Sequence, residues 1–188
     1  MVKLTQNGVK QAQNAAVWLK DYCVDNNIDF SKVRIWRSPH LRARKTSEKF
    51  IEHFKIDDVK EDITLGEQQF GLFDATPEEL WEKNFPVEYA ECQRQWNNDG
   101  KFYVRYPGGE SPYDVAIRIY QFIEKIQRDS SKDNTDTIFV FTHGTVIKCF
   151  LLRWFDHTPE WYEQEKTSKN CGIRFINEDK DEGYIYSV

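Results

Sequence analysis

The sequence predicts an α/β fold: a three-layer α/β/α sandwich on a mostly parallel sheet. Three observations predict it. Segments with apolar residues at helical spacing recur along the chain, short β-branched and aromatic runs alternate with them, and one such run, Thr137–Phe141, is continuously apolar, as a strand covered on both faces requires. The length of 188 residues suits one domain, 1–188, and 13 Phe, 9 Tyr and 6 Trp supply bulky side chains for its core.

The elements follow in order. Val9, Ala12, Ala16, Leu19 and Cys23 share one helical face, which predicts a helix over 5–22 with Thr5 as its cap. Val33–Trp36 is a short strand. Ser38-Pro39 then reads as a cap with proline at the first helical position, opening a helix to about Phe54. Residues 57–64 hold a further short strand, Pro77 opens a helix, and Tyr106-Pro107-Gly108-Gly109 is a loop. Val115, Ile119, Phe122 and Ile126 mark the next helix, which leads to the strand 137–141 and a helix over 145–155. Cys171–Ile176 and Tyr184–Val188 are strands joined by an acidic turn, Asn177 to Gly183.

Composition narrows the function classes. No apolar run approaches the roughly 20 residues of a membrane span, and MVKLTQNGVKQ has neither a signal-peptide nor a basic targeting pattern, so the expected location is cytoplasmic. Cys23, Cys92, Cys149 and Cys171 are widely spaced, which favours isolated reduced thiols over a disulfide framework. They form no metal-ligand spacing with histidine. A net charge of −5 argues against a nucleic-acid partner. Within this acidic chain, Arg34, Arg37, Arg42, Arg44, Lys45 and Lys49 form a cationic island with Glu48 as its one acid. Such an island suits a small anion better than a polymer.

Two segments have the form expected at the carboxyl edge of a parallel sheet, where ligands bind. In Phe141-Thr142-His143-Gly144-Thr145 a strand ends on a histidine, and a glycine lets backbone approach a ligand as a helix begins. His143 is there either a donor to a bound anion or a capping or core histidine with a carbonyl partner, and the pattern alone leaves both open. In Arg37-Ser38-Pro39-His40-Leu41-Arg42, Arg42 falls in the first helical turn, where a long side chain leans back over the sheet edge and its fork can grip an oxyanion. Arg44, Lys45 and Lys49 read as a solvated face.

Ser38-Pro39-x-x-Arg42-Ala43-x-x-Thr46, Leu65-Gly66-Glu67-Gln68-Gln69-Phe70-Gly71, Gly109-Glu110-Ser111 with Asp114-Val115 and Arg118, and Thr142-His143-Gly144 stand in one order. With Leu4-Thr5-x-x-Gly8-x-x-Gln11-Ala12, this order resembles the histidine phosphatase superfamily, of the phosphoglycerate-mutase-like kind. Phe102–Pro107 and Leu151–Phe155 resemble its broad phosphatase branch more than the glycolytic mutases. The resemblance implies phosphomonoester hydrolysis through a phosphohistidine, on a small phosphorylated substrate, with no metal and no organic cofactor. It implies that Arg42 and His143 bind the phosphoryl group, with Ser38, Gly144 and Thr145 around them. It also implies that Glu67 protonates the leaving oxygen. Without the resemblance, Glu67 would read as an exposed loop carboxylate. Glu110 reads as ordering its helix start.

The resemblance further implies a first strand, central in the sheet, ending in a nucleophilic Arg-His-Gly. The sequence begins at what corresponds to the first helix, and His40, His53, His143 and His157 all lack that setting. These residues are therefore expected to lack the nucleophile and the fold to miss or replace one central strand. Three accounts stay open: a truncated piece or mis-called gene start of a phosphatase, a pseudoenzyme that keeps an anion pocket, or a sheet rebuilt with another segment or subunit as a homo-oligomer. Substrate choice is expected to lie between Glu67 and Tyr106, among Trp81, Phe85, Tyr89, Trp96 and Phe102, although core packing explains most of those aromatics at least as well. Arg105 is the substrate contact expected there.

Overall fold

Three parallel strands carry the fold in the order β2–β1–β3, with β1 (Val33–Arg37) between β2 (Val59–Glu61) and β3 (Thr137–Phe141). The computed structural model describes residues 3–130 and 135–187. Residues β-branched or aromatic at 33, 35 and 36 suit the pleated centre of a sheet, and the strand's alternation sends them to opposite sides. Val33 and Ile35 meet the cluster built by α1 (Gln6–Asp25) and α2 (Leu41–Phe54). Trp36 meets Phe122, with ring centroids 5.6 Å apart, in the cluster built by α5 (Pro112–Ser130) and α6 (Gly144–Trp154). Helices thus cover both faces.

The predicted elements are present with shifted ends. Thr5 caps α1 by accepting from the Gly8 N–H, and the helix runs one turn beyond the expected Tyr22. α2 begins at Leu41 with His40 at the cap position, so neither Ser38 nor Pro39 opens it: the Ser38 hydroxyl is engaged elsewhere, with His143. The segment opened by Pro77 is a short 3-10 turn (Glu78–Leu80), followed by α3 (Trp81–Asn84) and α4 (Pro86–Asp99). α5 (Pro112–Ser130) and α6 (Gly144–Trp154) follow, then α7 (Pro159–Gln164), a helix the sequence reading did not include. Phe73, Trp81, Cys92, Trp96 and Val104, with Phe70, Phe85, Tyr89 and Tyr106 against them, form a separate cluster, while Phe102 joins the α5–α6 core. Packing accounts for the aromatics of this segment.

Two strands differ from expectation in an informative way. β3 was expected to be covered on both faces, yet all five of its residues are only half-buried. Its ladder partner among the described residues is β1 on one side, whereas β1 has a strand on each side. β4 (Ile173–Asn177) and β5 (Lys180–Tyr186) form a separate antiparallel hairpin. Its turn is short because Asp181 and Glu182 belong to the strand rather than to an acidic loop; Asp181 stands opposite Ile176 and its carboxylate reaches diagonally to Arg174, Oδ1 to Nε 2.9 Å. Val188 lies outside the described residues. The hairpin rests on α1, with Tyr186 5.1 Å from Trp18 and Phe175 edge-on to Tyr22. Cys171 packs half-buried beside it, and Cys23, Cys92 and Cys149 are buried, all four as free thiols. No described helix is long and apolar enough to cross a membrane.

Candidate active site

Parallel pairing of β1 and β3 brings two strand ends together, and Ser38 N–H extends the ladder by one bond to the Phe141 carbonyl, 2.8 Å. Ser38 and His143 therefore leave the sheet side by side. Ser38 Oγ lies 2.9 Å from His143 Nε2, both residues being buried. From the first turn of α2, Arg42 reaches back, and its Nε–H donates to His143 Nδ1 at 3.2 Å. Because Arg42 is donor only, Nδ1 must be the lone-pair nitrogen, so the ring proton sits on Nε2 and points at Ser38 Oγ. Burial first, and Arg42, His40 and Arg118 after it, hold the imidazole uncharged, with a pKa pushed down to about 3.

Glu67 enters from the irregular segment after a 3-10 turn, Ile63–Leu65. Its Oε2 lies 3.6 Å from both Arg42 Nη2 and His143 Nδ1. Burial raises its pKa above the ordinary carboxylate range, against the Gln68 N–H that donates to it and the cations Arg42 and Arg118. The site thus holds an uncharged histidine, a carboxyl group biased to its neutral form, and an arginine between them.

The other expected residues fall as follows. Gly144 and Thr145 begin α6, whose first amides have no partner within the helix. Gly144 sits under the 166–170 segment: a Cβ there would meet Thr167 Cγ2 at 2.6 Å. Thr145 is hydrogen-bonded to Tyr162, whose hydroxyl burial drives strongly toward its neutral form. Arg105 is 65 % exposed and forms a forked pair with Asp114; among the described residues no hydrogen bond or ion pair joins it to Arg42, Glu67 or His143. The cationic island is largely neutralised locally: Arg34 pairs with Asp58, Arg37 and Arg44 with Glu61, Lys45 with Glu48 and Lys49 with Glu52. Arg42 is the member of the island that faces the site.

His40 is a site neighbour the sequence reading assigned no role. Its ring centroid lies 4.9 Å from that of His143, and burial, Arg42 and Arg118 lower its pKa. The signal was its position two residues before Arg42. His53 and His157 lie elsewhere, His53 near the end of α2 and His157 stacked on Trp161. Glu110 and Arg118 also prove to be tied to the segment carrying Glu67. No group of three or more metal-ligating side chains occurs among the described residues.

Comparison with known proteins bears on the family and the fold. The family model of the histidine phosphatase superfamily (branch 1) matches residues 2–188. The phosphoglycerate mutase-like protein AT74 of Arabidopsis thaliana is 26% identical over 186 residues, covering 93% of this chain and 56% of its own length. The broad-range acid phosphatase DET1 of Saccharomyces cerevisiae is 26% identical over 126 residues, covering 65% of this chain and 35% of its own. The chain thus spans about half the length of the first of these relatives and about a third of the second. The native structure of a mycobacterial glucosyl-3-phosphoglycerate phosphatase superposes with a TM-score of 0.77 at 18% identity, covering 100% of this chain and 89% of that one.

Proposed function

Because the chain belongs to branch 1 of the histidine phosphatase superfamily, we propose that its Arg42–Glu67–His143 pocket binds a phosphomonoester and places Glu67 to protonate the leaving oxygen of a phosphoryl transfer whose nucleophile none of its four histidines supplies. The observation that carries this reading is the convergence of three elements on one point: β1–α2 supplies Arg42, the acid segment Glu67, and β3–α6 His143. Arg42 is the oxyanion clamp, a fixed cation whose fork matches phosphoryl oxygens. A carboxyl group held neutral can donate a proton, and burial gives Glu67 that bias. His143, neutral with its proton on Nε2, turns from Ser38 to donate to a phosphoryl oxygen. Ser38, Gly144 and Thr145 line the same edge. The substrate class is a phosphomonoester, in keeping with relatives that are phosphatases by name.

The attacking histidine is assigned to none of His40, His53, His143 and His157. Both ring nitrogens of His143 are engaged, Nδ1 by Arg42 and Nε2 by Ser38. That observation favours a second reading, a phosphate-binding protein without covalent chemistry. The raised pKa of Glu67 argues the other way, since an anion-binding site has no need of a proton donor.

Thermal unfolding with phosphate and with vanadate tests the pocket. Each anion, at about 100 times its Kd, is expected to raise Tm by about 5–10 °C, and Arg42→Ala to remove the rise; no rise with either anion would refute the site. Turnover of an aryl phosphate by this chain is expected to stay at background, and robust turnover abolished by His143→Ala would overturn that expectation and imply an unassigned nucleophile.

A further inference from the structure

Irregular backbone holds its place only where groups outside it satisfy and fix it, and Glu67 lies on irregular backbone. Its segment is tied at several points. The Leu65 carbonyl accepts from Thr142 Oγ1 at 2.8 Å, and the Thr64 carbonyl accepts from Arg118 Nη1. On the other flank, Gln69 N–H donates to Glu110 Oε2 at 3.0 Å, Gln68 Nε2 donates to the Glu110 carbonyl at 2.9 Å, and Glu110 N–H donates to the Gln69 carbonyl at 2.8 Å. Arg118 grips the same Glu110 with Nε at 2.9 Å and Nη2 at 3.1 Å. One guanidinium therefore spans both sides of Glu67, directly at Thr64 and through Glu110 at Gln68 and Gln69.

The pair is not needed to start α5. Ser111 and Asp114 already do that reciprocally: Ser111 N–H donates to Asp114 Oδ2 at 2.8 Å, and Asp114 N–H to Ser111 Oγ at 3.1 Å. Both side chains of the Arg118–Glu110 pair are 19% exposed, so the pair is shielded from solvent and geometrically fixed. The planar fork serves the carboxylate and the carbonyl from three separate nitrogens in fixed directions, a span that the three donors on an ammonium's single nitrogen do not reproduce.

We propose that Arg118 is the positioning residue of this site, holding the segment 64–69 closed so that Glu67 stays against Arg42 and His143. It acts through Glu110 and the Thr64 carbonyl, not by touching the substrate, and the inference rests on the reading of Glu67 as the proton donor. Arg42, Arg118 and Glu110 are the charged groups around Glu67, with neutral His143, Tyr162 and Cys149 behind them.

The sign of one measurement separates positioning from simple charge. Glu67 is titrated by carboxyl 13C NMR in the wild type, Arg118→Met and Arg118→Lys, with amide hydrogen exchange read alongside. If Arg118 positions the segment, both variants bring the Glu67 midpoint down toward the ordinary carboxylate range, because the segment opens to water. Exchange at 64–69 then speeds about tenfold while α5 keeps its protection. If Arg118 acts only as a nearby cation, Arg118→Met moves the midpoint further up and Arg118→Lys leaves it unchanged; that result, or no change in either, overturns the proposal. Failure of both variants to fold also overturns it, since Arg118 would then serve the whole domain. Failure of the functional reading shows separately, as a wild type that phosphate and vanadate do not stabilise, whatever Glu67 does.

Discussion

Burial shifts His143 and Glu67 toward their uncharged forms, the histidine's pKa downward and the carboxyl's upward, and this has opposite consequences for stability against pH. The histidine's pKa falls from 6.5 to about 3 on folding, so its contribution is present above 6.5 and lost as pH falls toward 3. The pKa of Glu67 rises above 4.5, so its contribution is present below 4.5 and lost as pH rises through the raised value. Urea midpoints at about pH 7 and pH 5 should therefore diverge between two variants. His143→Gln is expected to lose less stability on acidification than the wild type, by roughly 2 kcal/mol, and Glu67→Gln to lose more. Equal slopes in all three proteins would mean that neither group is buried as described. The identities of Arg42, Glu67 and His143 were legible in the sequence because the family's motifs name them. The tautomer of His143, the place of His40 and the Arg118 tie were not, because each depends on which groups meet across 54 to 105 residues of chain.

Elements were easier to read than their ends. Helical periodicity found α1 and α5, since it reports one buried face whatever the topology. The Ser38-Pro39 start misled because Ser38, a natural cap, is recruited by His143 instead. The β5 start misled because Asp181 and Glu182 resemble a turn until the Arg174 guanidinium is placed against the Asp181 carboxylate. The two loops beside the site show how closely elements can meet. At Gly109 a Cβ would lie 2.4 Å from the Gln69 carbonyl and 2.8 Å from the Gly71 nitrogen, both backbone atoms. Gly109→Ala must push the 106–109 loop off the segment that carries Glu67. A loss of roughly 1–3 kcal/mol of stability is expected, with weaker stabilisation by vanadate, whereas unchanged vanadate stabilisation would show that the two loops are independent. Within α5, Phe122 is fully buried against Trp36, and Phe122→Ala is expected to cost about 3–5 kcal/mol, measurable by urea unfolding.

At the scale of the molecule, the parallel sheet and the β4–β5 hairpin share no ladder but share a core: Val33, Ile35, Phe139, Phe141, Ile173 and Tyr186 all pack on the cluster formed with α1 and α2. The α/β class was legible from the alternation of segments, while the division into two sheets was not, because pairing partners leave no local signal. Coupling through side chains alone predicts one cooperative transition, with tryptophan fluorescence and far-ultraviolet circular dichroism coinciding. Trp18→Ala, which removes the ring under Tyr186, should split those curves as the hairpin melts early.

The placing of Cys171 gives that coupling a clock. Three of the four thiols are buried, and the fourth is half-buried beside the hairpin with its pKa raised by burial. A maleimide or disulfide reagent should therefore modify Cys171 slowly and the others more slowly still, at rates set by how often each region opens. Labelling of Cys171 that outruns the remaining three, and does so more in Trp18→Ala, would time the hairpin's departures from α1 one adduct at a time.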